Sequence, residues 1–301
     1  MSVLLYKTDP PDDKKKKNFT YEDLEKMSTE ELKQYGIDNG ILKPYSKSNG
    51  DGYTVDAANL PEVGEQYSLP FEIERKWVRD WYDSDASRER MLKLEKKYGG
   101  QEDILSHKAK LTEPSTWFNN DEDQAEKYID DALKNIDTVK YKVNPFKDRG
   151  LPIYTGSYAY YSRPRHYIYT SDIRTPKEDI PHETAHAAGL ARLNPQKKAI
   201  HDIYTKNKET ESRWGYMGSN EEINARIMEI RRQIGAKPGE IFTKEELKRR
   251  LKKNHVRDTL LDTYKSQTIV DWLNTLVSND TKKSNATQVA RQGGILYKKS
   301  K

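Results

Sequence analysis

The chain contains no cysteine in 301 residues. That removes disulfides, thiolate metal sites and cysteine nucleophiles together, and gives no sign of an oxidising compartment. Long apolar runs are missing as well; no window approaches the ~18 apolar residues of a membrane-spanning helix. The opening "MSVLLYKTDPPDDKKKK" becomes charged after a very short apolar run, so neither a signal peptide nor a membrane span is expected, and synthesis is expected to be cytoplasmic. Nothing cradles a phosphate either: Gly293-Gly294 has no following Lys-Ser/Thr. Phenylalanine is scarce, at 5 against 20 tyrosines. The aromatic surface therefore suits half-wet packing and interfaces.

What is present in excess is charge. Hydrophobic and charged residues each make up 34% of the chain, so one core is expected rather than burial along the whole length. The charge is unevenly placed. Residues 1–70 carry 9 Lys/Arg against 13 Asp/Glu, and residues 243–301 carry 14 against 6. This basic C-terminal segment has no base-reading motif and reads as a solvated face, so nucleic acid is not expected as a partner.

Residues 1–70 read as an extended, partly disordered arm. Pro10-Pro11, the Lys14–Lys17 run and "YSKSNGDGY" are loop signals, between short helices with Ser28 or Thr29 as caps and Gly36 as a stop. The central region, 71–240, opens with helices in which Ile73, Trp77 and Trp81 recur at helical spacing. A helix follows Asp121. Strand-like "TVKYKV" and "YTGSYAYYSRPRHYIYTSD" come next, and further helices lie around 220–234, 243–253 and 258–277. Residues 241–301 form a basic helical region with a polar tail. The fold class expected is α+β.

The chemistry concentrates in "PHETAHAAGL", residues 181–190. On a helix His182 and His186 lie one turn apart on one face, so both imidazoles reach a single ion. Glu183 points beside that ion, where a general base belongs. The longer HExxHxxGxxH pattern would need a histidine where Arg192 stands, so a third ligand must come from elsewhere. "GYMGSNEEINARIMEIRR" offers Glu222, beside the apolar stripe Ile223, Ile227 and Ile230, with Ala225 leaving room for the histidine helix. Glu221 is its competitor and reads otherwise as a first-turn carboxylate favoured by the helix dipole. His201 beside Asp202 is a weaker rival, and His107, His166 and His255 have no partner at ligand spacing. Pro181 has no N–H to donate, so the helix is expected to begin just before it, with Asp179 as cap and His182 in the first turn.

"HETAH" followed by "SNEEINAR" resembles the gluzincin-type zinc metallopeptidases, over about residues 156–232. The resemblance implies a zincin-like domain, a small mixed sheet packed on the HExxH helix and then a helical subdomain. It also implies Zn2+ held by His182, His186 and Glu222, and a protein or peptide substrate aligned by the strand before the motif. Glu183 takes a proton from a zinc-bound water in such enzymes. Tyr216 is nearest to the family's oxyanion-stabilising tyrosine; its alternative is an aromatic packed beside Trp214. "WVRDWYDSDASRERML", "EEINARIMEIRR" and "ARQGGILYKK" are similar in texture to zincin-like proteins of tailed, crAss-like bacteriophages of Bacteroidetes. That second resemblance implies a place in a virion, with arm and tail meeting other virion proteins. Its alternative to catalysis is a structural virion protein whose metal site is structural or vestigial.

Overall fold

A computed structural model describes residues 19–47, 50–98, 122–154, 159–171, 176–189, 220–256 and 258–275. The described chain is α+β, mostly helical with two small sheets. No helix among these residues is long and apolar enough to cross a membrane.

The N-terminal layer holds α1 (Tyr21–Lys26), α2 (Thr29–Asp38) and an antiparallel hairpin of β1 (Leu42–Lys47) and β2 (Gly50–Val55). Both helices start with a capping box, Thr20 with Asp23 and Ser28 with Glu31, which satisfies the otherwise orphaned N–H groups at each start. From residue 19 the stretch expected as an arm is thus folded, and Leu24, Leu32 and Ile41 are completely buried. Residues 1–18 lie outside the described residues. Gly36 does not stop α2. It sits inside the helix, where a Cβ would come within 2.7–2.9 Å of Leu42 and Phe146. Close packing against the hairpin is what requires glycine there, and the helix ends two residues later, before Gly40 at φ 65°.

Helices α3 (Glu65–Tyr82), α4 (Asp85–Tyr98) and α5 (Glu122–Thr138) follow. The stripe expected on α3 is rotated: Phe71, Val78, Trp81 and Tyr82 are buried, whereas Ile73 is 52% exposed. A buried carboxylate hides the true stripe. Glu74, 1% exposed, receives two hydrogen bonds from Arg232, at 2.6 and 2.8 Å.

The second sheet is three-stranded, in the order β3 (Lys140–Val143), β5 (Tyr167–Thr170), β4 (Ala159–Ser162). β3 runs parallel to β5, and β4 pairs antiparallel with β5 from the open edge. Every residue of β5 is buried, because the sheet is covered on both faces. Tyr167 and Tyr169 face the N-terminal layer and pack with Leu24, Leu32, Ile41 and Phe146. Tyr141, Val143 and Ile168 face the other way, onto Ile180 and Ala187 of α6 (Pro176–Ala188).

α6 is the hub. It packs on α3, α5, β4, β5 and α7 (Asn220–Gln233). Its Ala185 and Ala188 join the largest core, built with α7, α8 (Lys244–Lys253), α9 (Thr259–Thr263) and α10 (Ser266–Thr275). The "KRRLKK" run of α8 lies mostly on an exposed face, with Leu247 buried and Arg249 and Arg250 paired with Glu246.

Candidate metal centre

α6 begins at Pro176, several residues earlier than a start capped by Asp179 would give. Pro181 is therefore a buried proline in the helix interior, and Asp179 is a helical residue and not a cap. With Pro176 itself opening the helix, the missing N–H of Pro181 falls beyond the first turn, leaving the Lys177 carbonyl without its intrahelical donor. His182 consequently stands more than a turn inside the helix. Gly189, at φ 70°, ends the helix and donates its N–H to Ala185 O at 3.3 Å.

His182 and His186 project from one face of α6, with their Nε2 atoms 3.2 Å apart. Glu222, in the first turn of α7, meets both: its Oε2 lies 3.6 Å from His182 Nε2 and 3.5 Å from His186 Nε2. The adjacent Glu221 turns outward instead, 3.4 Å from Arg163 on the β4–β5 turn. Glu222 is 1% exposed, so this carboxylate is sunk between two helices. Ala225 is fully buried at that helix contact.

Four-coordinate bonds of about 2.0–2.1 Å place ligand atoms about 3.3 Å apart. The observed separations of 3.2, 3.5 and 3.6 Å match that spacing. Two imidazole nitrogens and one carboxylate oxygen form a donor set suited to zinc. Further carboxylates stand close by: Glu229 lies against His182, and Arg226 bridges Glu222 and Asp258.

Burial works against a charged imidazole at His182, yet Glu222 and Glu229 outweigh it and push the pKa up to about 10. The Glu229 contact is made through the other ring nitrogen, with His182 Nδ1 3.3 Å from Glu229 Oε2. Glu183 points beside the donors and is 8% exposed. Burial raises its pKa above the ordinary value; the two histidines pull it back in part, as does the Tyr161 main-chain N–H of β4. The edge strand thereby reaches the Glu183 carboxylate.

Arg226, Glu229 and Asp258 were missed in the sequence. The first two were findable, since they stand four and seven residues after Glu222 on one face of α7. Asp258 approaches from the start of α9, which no local spacing reveals. Tyr216, Trp214, Arg192, His201 and His107 lie outside the described residues. His166 bonds Tyr161 and Thr138 away from the centre, and His255 is exposed. Comparison with protein-family models, curated proteins and solved structures finds no match.

Proposed function

We propose that the chain is a zinc-dependent peptidase of the gluzincin kind, with His182, His186 and Glu222 as the metal-holding residues and a zincin-like core of α6 and the three-stranded sheet. The observation that carries this reading is the convergence of those three donor atoms, all within 4.8 Å of one another, with Glu183 buried beside them. When bound, zinc supplies Lewis acidity, acidifying water and polarising a carbonyl.

Glu183 is the general base. Its raised pKa suits a group that takes a proton from attacking water and returns it to the departing amine. The peptide lies along β4, the open edge of the sheet, where main-chain hydrogen bonds align an extended segment. Tyr216 remains the proposed oxyanion partner.

The experiment is cleavage of a peptide mixture by the full chain. Cleavage should vanish with a chelator and return with zinc. Glu183→Gln should keep the metal and lose about 10²–10⁴-fold in rate. Cleavage by that variant at the wild-type rate, or cleavage indifferent to chelation, would contradict the proposal.

A further inference from the structure

We infer that Arg226 is a positioning residue that makes Glu222 a one-oxygen ligand, and that Asp258 anchors Arg226 from the start of α9. The inference rests on the metal-centre reading and concerns what holds the centre in shape. The two oxygens of Glu222 are differently occupied. Oε2 faces the two imidazoles, and Oε1 lies 2.6 Å from Arg226 Nε, one turn along the same helix. The other end of the guanidinium donates through Nη1 to Asp258 Oδ2 at 3.2 Å. Asp258 in turn caps α9, its Oδ1 accepting the Leu260 N–H at 2.7 Å.

The chain of contacts thus runs from the donor triangle through Glu222, Arg226 and Asp258 into the backbone of the C-terminal helices. It is built, not incidental. Glu222 and Asp258 are 1% and 7% exposed, too buried for solvent to substitute for a lost partner.

The reason such a residue is needed lies in the glutamate. Its terminal torsion is broad, so a bare carboxylate turns freely between presenting one oxygen and two. A cation attracts both. Fixing Oε1 to a guanidinium leaves Oε2 alone for the metal and keeps a coordination position open for chemistry.

Two effects of Arg226 on a bound cation oppose each other, and they make the test decisive. As a mere positive charge nearby it repels the ion, so its removal would tighten binding. As a positioning residue it holds the ligand, so its removal loosens binding. The full chain carrying Arg226→Gln is compared with wild type by zinc titration against a chromophoric chelator, and by the visible spectrum of the cobalt-substituted protein. Expected is zinc affinity lowered about 10–100-fold, with a changed cobalt spectrum. Unchanged or tighter zinc binding overturns the inference while leaving the metal reading intact. If wild type itself binds no zinc, that reading falls and this one with it. Should Arg226→Gln fail to fold, Asp258→Asn serves, since it keeps the guanidinium and removes its anchor. Weaker binding with an altered cobalt spectrum then supports the inference, and an unaltered spectrum overturns it.

Discussion

His182 carries the sharpest expectation at the scale of single residues. Glu222 and Glu229 outweigh burial and raise the pKa of its imidazole, which favours the protonated ring, whereas holding a metal would need it neutral. Zinc added to the metal-free protein near pH 7.5 should therefore release about one proton from this residue, and affinity should rise about tenfold per pH unit up to about 10. A pH-stat titration checks this; zinc uptake without proton release would contradict it. For stability the pH dependence runs the opposite way. A folded-state pKa above the unfolded one gives stabilisation that is complete below the unfolded value and lost as pH rises through about 10. Glu229 shares in holding this ring through Nδ1. Glu229→Ala should weaken zinc binding about tenfold or more, measured by the same chelator competition. Of the cluster's geometry, the approach of the two histidines with Glu183 beside them was legible from spacing alone, and that of Glu222 from a small residue three positions on. The surrounding charges were not, because they come from a helix turn further along α7 and from α9.

At the scale of elements, glycine and proline misled in the same way. Both were read as boundaries, and both lie inside helices. Gly36 is demanded by the approach of Leu42 and Phe146, a contact between segments that the local sequence does not show. Gly36→Ala separates the two readings by sign. Helix propensity alone makes it stabilising by about 1 kcal/mol. Overpacking at 2.7–2.9 Å costs about 1–3 kcal/mol. A net loss of up to about 2 kcal/mol is expected in urea unfolding, and a gain would show that the hairpin does not press on α2. Pro181 misled because Pro176 already opens α6. Elements with strong periodicity and clean caps were legible: the N-cap Ser28, and α7 and α8 within a residue or two of their observed ends. The stripe of α3 was legible only in part: Trp81 is buried and Trp77 packs against the core, but Ile73 is exposed, and Glu74 is buried instead by pairing with a side chain 158 residues away.

The whole molecule is organised by the three-stranded sheet, with the N-terminal layer on one face and α6 with its donor set on the other. Composition suggested a core flanked by an arm. What it could not show is that the tyrosines of β5 need a cover, and that residues from 19 onward provide it. Leu32→Ala should therefore cost about 2–5 kcal/mol, as large as a cavity anywhere in the main core. A loss below about 1 kcal/mol would mean that this layer is detachable. Because α6 lies between the sheet and α7, the layers together set where the histidines meet Glu222. The most direct measurement is the zinc content of purified full-length chain, compared with His186→Ala and Glu222→Gln purified alongside. One equivalent in wild type and its loss in both variants is the predicted result. No zinc in wild type, or the same zinc in all three, would contradict the metal centre on which the function rests.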